Sequence, residues 1–111
     1  MFVNFLTQTF KSESELELAG LRWKALKDKY LPILYAKGLK RSASMRVANK
    51  QGKFQMAYIY EYESEAAMKE CLPIWREIDD IETSSMPVIY NRYRGKIIDD
   101  DQKESWVSKI T

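Results

Sequence analysis

Six side chains able to bind or exchange a proton with a small molecule, Ser44, Arg46, Tyr58, Tyr60, Tyr90 and Arg92, sit at even positions within three β-forming stretches. Residues two apart on a strand share a face, so each stretch carries its members of the set on one side. A guanidinium among tyrosines needs an anion, a carboxylate or an aromatic face, which makes Arg46 and Arg92 candidates to hold an anionic group. Pairing with Glu61, or with an acidic residue of a partner subunit, is the competing reading for both. Tyr58 or Tyr90 would exchange protons, while Ser44 and Tyr60 would contribute hydrogen bonds to a ligand. Tyrosines of this kind more often serve a core or an interface, their hydroxyls reaching solvent or a neighbour. Asn4 is a polar side chain inside an otherwise apolar first strand, so it needs a partner, either a neighbouring Ser or Tyr or a ligand.

Absent residues narrow the chemistry further. The 111 residues contain no histidine and one cysteine. Ser-His-Asp and Cys-His catalysis, histidine-ligated haem, histidine-bearing zinc sites and thiolate clusters are therefore excluded within this chain. Gly20, Gly38, Gly52 and Gly95 lie too far apart to form a phosphate-cradling loop. Asp99, Asp100 and Asp101 read as a solvated tail, not a cation site, and no metal or cofactor is expected. Cys71 reads as a small buried apolar residue. Formal net charge is only +2, with 18 basic and 16 acidic residues intermixed, so no strong field favours a polyanion. No apolar run approaches the ~20 residues that span a bilayer, and the N-terminus lacks a signal-peptide pattern, so the expected location is the cytoplasm.

The elements that must position these groups follow from periodicity. Met1 to Phe10 alternates as a strand, and Ser12 with Glu15 has capping-box spacing at the start of a helix. Leu16, Ala19, Trp23, Leu26, Tyr30 and Ile33 form that helix's apolar stripe, Pro32 kinks it or restarts its last turn, and Gly38 terminates it in a left-handed conformation. Leu39 to Asn49 is a second strand, joined by a hairpin turn at Asn49 to Gly52 to a third, Lys53 to Tyr62, which has β-forming residues on both faces and reads as central. Ser64 caps a second helix with the stripe Ala67, Cys71, Trp75 and Ile78. Core packing is the favoured reading of Trp75 and Trp23. Thr83 to Ser85 break the pattern before a fourth strand, Met86 to Arg94, which Gly95 ends. Trp106, Val107 and Ile110 recur at helical spacing in the tail.

This βαββαβ order predicts an α+β, ferredoxin-like sandwich over residues 1–95, with a four-stranded antiparallel sheet and two helices on one face. Residues 96–111 form a tail whose short helix packs on the domain or on a partner subunit. The helices are expected to cover the face bearing Val3, Phe5, Ala43, Met45, Val47, Ala57, Ile59 and Ile89. The opposite face, with Asn4, Tyr58, Tyr60, Tyr90 and Arg92, would then be left open, a larger aromatic patch than a monomer normally shows. A second copy of the chain is the simplest cover.

A βαββαβ chain of this length, with a long first helix, a third strand rich in tyrosine and methionine, and a fourth strand with a tail, resembles the dimeric α/β-barrel superfamily. That group includes antibiotic-biosynthesis-type and haem-degrading monooxygenases. The resemblance covers roughly residues 1–95 and implies a homodimer whose sheets pack face to face, with a pocket between sheet and helices in each subunit. It further implies an Asn on the first strand and a Trp on the second helix as catalytic partners, places that Asn4 and Trp75 roughly match. The missing histidine speaks against haem degradation. The expected function is a homodimeric small-molecule-binding protein, as a cofactor-free monooxygenase-like enzyme or as a non-catalytic binding or scaffold dimer. An RNA-recognition-motif-like module shares the element order but ranks behind. Phe5 stands where that module's first signature has Asn, Glu61 where the second has an aromatic, and the charge is near neutral, so nucleic acid is disfavoured.

Overall fold

The computed structural model describes residues 1–82 and 86–110. The chain runs β1 (Phe2–Phe10), α1 (Glu13–Ala36), β2 (Leu39–Arg46), β3 (Phe54–Tyr62), α2 (Glu65–Glu82), β4 (Ile89–Lys96) and α3 (Lys103–Ile110). The four strands form one antiparallel sheet in the order β2-β3-β1-β4. With α1 and α2 packed on it, this is the expected ferredoxin-like sandwich.

Local chemistry sets the ends of these elements. Ser12 Oγ accepts the Glu15 amide at 3.2 Å and Ser64 Oγ accepts the Ala67 amide at 3.1 Å, each satisfying a donor that the first helical turn leaves unpaired. Gly38, at φ 109°, ends the turn after α1, and its carbonyl accepts the Glu63 amide at 2.9 Å, tying the end of α1 to the start of α2. The link between β2 and β3 is longer than a tight hairpin. The strands stop at Arg46 and resume at Phe54, and the turn itself closes from Lys53 N to Lys50 O.

The allocation of the two sheet faces is the reverse of the sequence-based expectation. Burial along β1 alternates so that Phe2, Asn4, Leu6, Gln8 and Phe10 are buried, and register places Tyr62, Tyr60, Tyr58, Met56 and Phe54 of β3 opposite them. These residues face the helices. The main core joins Phe2, Leu6, Tyr58, Tyr60 and Tyr62 to Tyr30 and Leu34 of α1 and to Met68, Cys71, Trp75 and Ile78 of α2. Bulk explains the choice, since the long aromatic side chains bury more area under the helices than the Val, Ala and Ile of the other face can. Their polar tips also find partners within the layer. Tyr58 donates to Gln8 Oε1 at 2.9 Å, and Trp75 Nε1 donates to the Tyr62 hydroxyl at 2.8 Å.

The face left open therefore carries Val3 and Phe5, Ala43 and Met45, Ala57 and Ile59, and Ile89 and Tyr93. Phe5 packs on Tyr93 with ring centroids 6.2 Å apart, yet Tyr93 stays 63% and Ile89 68% exposed. Two smaller differences accompany the inversion. Leu34 replaces Ile33 in the buried stripe of α1, and Ile33 is exposed. Gly95 does not end β4, because its backbone pairs with Val3 and the ladder runs on to an Ile97 N to Met1 O bond of 3.0 Å. The tail helix forms as α3, but Ile98, Trp106 and Val107 are exposed. The expected break at Thr83 to Ser85 lies outside the described residues. Among the described residues no helix is long and apolar enough to cross a membrane.

Candidate functional site between α2 and the sheet

The last two turns of α2 bring a polar group into an otherwise apolar layer. Trp75, Ile78, Asp79 and Glu82 recur at three- and four-residue steps and so lie on the sheet-facing side of the helix. Trp75 packs on Tyr60 with centroids 4.3 Å apart and the rings tilted by 36°, and it meets Trp23 of α1 at 5.9 Å. Asn4 and Gln8 rise from β1 beneath them, each less than 5% exposed. Arg92 of β4 reaches across to Asp79, with Nη2 and Oδ2 3.6 Å apart, and its guanidinium lies 5.1 Å from the centre of the Tyr90 ring.

Asn4, Leu6, Tyr60, Leu72, Trp75, Asp79 and Arg92 line a void of about 20 Å³, room for about one water. Asn4 Oδ1 is buried there without a hydrogen-bond partner among the described residues. A buried acceptor of this kind costs about 1–3 kcal/mol unless something donates to it.

Electrostatics distinguish the groups that can exchange protons from those that cannot. Burial, reinforced by the Asp79 charge and only partly offset by Arg22, raises the Glu82 carboxyl to about 7. Burial also raises Asp79, and Arg92 opposes that shift. Tyr58, Tyr60 and Tyr62 are all pushed further above the phenol range, chiefly by burial. They remain protonated at any physiological pH, so they can donate hydrogen bonds but do not act as bases. Glu82 is the group able to accept and return a proton near neutrality. Cys71, fully buried and with its thiol also raised by burial, has the environment of an inert core residue.

Four of the sequence-derived candidates, Asn4, Tyr60, Trp75 and Arg92, line this one void, with Tyr58 and Tyr90 beside it on the same sheet face. Trp75 presents only its ring, since its N–H is committed to Tyr62. Ser44 and Arg46 do not join them. They lie exposed on β2, at the opposite edge of the sheet from β4, and Arg46 pairs with Glu13 at 2.9 Å. Asp79, Glu82 and Gln8 were missed by sequence reasoning. A signal for the two acids was present, because they continue the Trp75 and Ile78 stripe where apolar residues are expected.

The order of elements, the single antiparallel sheet and the one-sided helical layer define a ferredoxin-like α+β protein. Residues 1–97 match the family model described as Domain of unknown function (DUF6974), and the chain belongs to that family. Comparison with curated proteins finds no match. Among solved structures the chain is similar to a dimeric ferredoxin-like protein from an uncultured marine organism, at 18% identity and TM-score 0.80, over 90% of this chain and 97% of that one. A second dimeric ferredoxin-like protein from an uncultured marine organism matches at 25% identity and TM-score 0.71, over 93% and 100% of the two chains. The crystal structure of an antibiotic biosynthesis monooxygenase matches at 9% identity and TM-score 0.61, over 87% and 99%. The expected likeness to dimeric ferredoxin-like and monooxygenase folds thus holds at the level of fold.

Proposed function

We propose that this protein is a homodimeric α/β barrel that binds a small organic molecule between α2 and the sheet, with cofactor-free, monooxygenase-like chemistry as its enzymatic form. The observation that carries the binding site is the orphaned Asn4 Oδ1 in a void it shares with Arg92 and Asp79. In this reading Asn4 accepts a hydrogen bond from a ligand O–H or N–H, and Arg92 holds an anionic group. Tyr60 and Trp75 supply an aromatic wall, and Glu82, one turn beyond the lining Asp79, exchanges the proton. A ligand larger than water enters by displacing Leu72 and the Arg92 side chain. The pairing rests on the open face, where Phe5, Ile59, Ile89 and Tyr93 would meet their copies, and Trp106 and Val107 of α3 would add to the contact. The dimeric character of two fold relatives is in keeping with it.

A second reading, a non-catalytic scaffold dimer, is favoured by the small size of the void. Calorimetric titration with 1-hydroxy-2-naphthoate, an aromatic acid carrying a phenol, separates the two. Binding that weakens at least tenfold, about 1.4 kcal/mol, in both Asn4→Ala and Arg92→Ala supports the site. Absence of binding, or binding untouched by either substitution, leaves the scaffold. Sedimentation tests the assembly, and a monomer at micromolar concentration, unchanged by Tyr93→Lys, would sink the barrel.

A further inference from the structure

The end of α2 places negative charge where three physical effects oppose it. Glu82 is its last residue and is 6% exposed, Asp79 lies one turn back on the same inward face, and Asp80 sits between them. A helix C-terminus carries the negative end of the macrodipole, so carboxylates there are unfavourable; the last turn itself holds no basic residue, and Arg22 of α1 at the Glu82 carbonyl compensates in part. Burial adds a desolvation cost for any ionised acid. The groups around Glu82 offset its charge only in part. Tyr58 and Tyr60 of β3, the tyrosines whose electrostatics couple to Glu82, are neutral, and Asn4 and Gln8 of β1 in the same layer carry no charge. Arg92 of β4 is turned to Asp79, and Arg22 of α1, hydrogen-bonded to the Glu82 main-chain carbonyl at 2.8 Å, offsets the charge of the carboxyl only partly.

We propose that Glu82 and Asp79 form a proton-operated latch: with Glu82 neutral the C-terminal end of α2 is closed on the sheet, and loss of its proton releases that end and opens the way to the void at Asn4. Opening moves Glu82 into water, where its carboxylate is favourable, so the open state gains as pH rises. The sign follows from linkage. The closed state binds the proton more tightly than the open one, and the open state therefore gains population above the open-state pKa. With Glu82 titrating at about 7 when closed and at its ordinary 4.5 when open, the open-to-closed ratio rises roughly tenfold between about pH 6 and about pH 8. Arg92 and Leu72 line the void, so motion of this helix end also loosens the groups that a ligand has to displace. The latch rests on the proposed binding site only for what it admits; the opening itself needs no ligand.

Trp23 and Trp75 report on this layer, and Trp106 is the remaining tryptophan. In the full chain carrying Trp106→Phe, acrylamide quenching is measured from about pH 5 to about pH 9, with circular dichroism confirming that the protein stays folded. Quenching is expected to rise through neutrality in the parent, to stay low and flat in Glu82→Gln, and to follow the parent in Glu77→Gln, an exposed acid on the same helix. Asp79→Asn is expected to shrink the rise, because without that neighbouring charge the closed state holds the Glu82 carboxylate at lower cost. A parent that does not titrate, or a Glu82→Gln protein that titrates like it, would overturn the latch. The same samples titrated with 1-hydroxy-2-naphthoate keep the two ideas apart. A quenching transition without probe binding upholds the latch and removes the binding site.

Discussion

Replacing Gly38 by alanine tests the joint between α1 and α2. Gly38 has φ 109°, a conformation that side chains strongly disfavour, at a cost of about 1–3 kcal/mol. A methyl group there would also lie 2.5 Å from Ala67 Cβ, well inside contact distance. Ala67 is 8% exposed on a helix whose start is tied to Gly38 by the Glu63 amide, so neither side can retreat freely. Overpacking of this kind costs about 1–3 kcal/mol. Gly38→Ala should therefore destabilise the fold by roughly 2–6 kcal/mol. Ala67→Gly removes the facing methyl, itself costing about 1 kcal/mol in helix propensity. Combined with Gly38→Ala, it should restore about 1–3 kcal/mol, the overlap part alone, leaving the backbone strain. Urea unfolding of the four proteins followed by circular dichroism reads out the cycle, at one fixed protein concentration because self-association would shift the midpoint. A Gly38→Ala cost below about 1 kcal/mol, or a coupling indistinguishable from zero, would refute the reasoning.

Glu82→Gln should change how global stability depends on pH. The folded protein retains the Glu82 proton up to about pH 7 while the unfolded chain releases it near 4.5, so stability falls as pH rises through that window. The loss approaches roughly 3 kcal/mol above neutrality, and the amide variant should escape it, its stability relative to the parent growing between pH 4.5 and 7 in chemical denaturation. Tyr62→Phe should cost about 1–3 kcal/mol, because the buried Trp75 N–H loses its acceptor; thermal unfolding measures this, and a neutral result would mean that water or another group takes over.

The fold was legible in the sequence because each element carries its own signal. The Ser12 cap, the glycine after α1 and the alternation of β1 and β3 are local, and their order leaves few topologies. The sidedness of the sheet was not legible. Both faces of β3 carry apolar residues, and counting aliphatic side chains assigns Ala57 and Ile59 to the helices. Burial is decided by the volume the helices must fill and by partners for polar tips, and those partners, Gln8 for Tyr58 and Tyr62 for Trp75, become neighbours only through tertiary packing. The same limit applies to the site. Alternation grouped Arg46 with Arg92, but sheet order sets them at opposite edges. Asp79 and Glu82 continue the Trp75 and Ile78 stripe, but only burial shows that this side of α2 faces inward.

The sheet order also bears on what this protein avoids. With β2 and β4 outermost, two rows of backbone donors and acceptors face outward, a template onto which further strands could be added indefinitely. Both rows are rich in cations, Lys40, Arg41 and Arg46 on β2 and Arg92, Arg94 and Lys96 on β4, although Lys40, Arg41, Arg46 and Arg92 each pair with an acid of the same chain. The pairing of β2 is further broken by an irregularity between Leu39 and Arg41. Lateral zipping of one sheet to the next would bring these side chains together and break up their ion pairs. Sheet polymerisation is thus opposed at the rims, and concentrated salt, which screens those ion pairs, is the condition under which fibrous aggregation would first be expected.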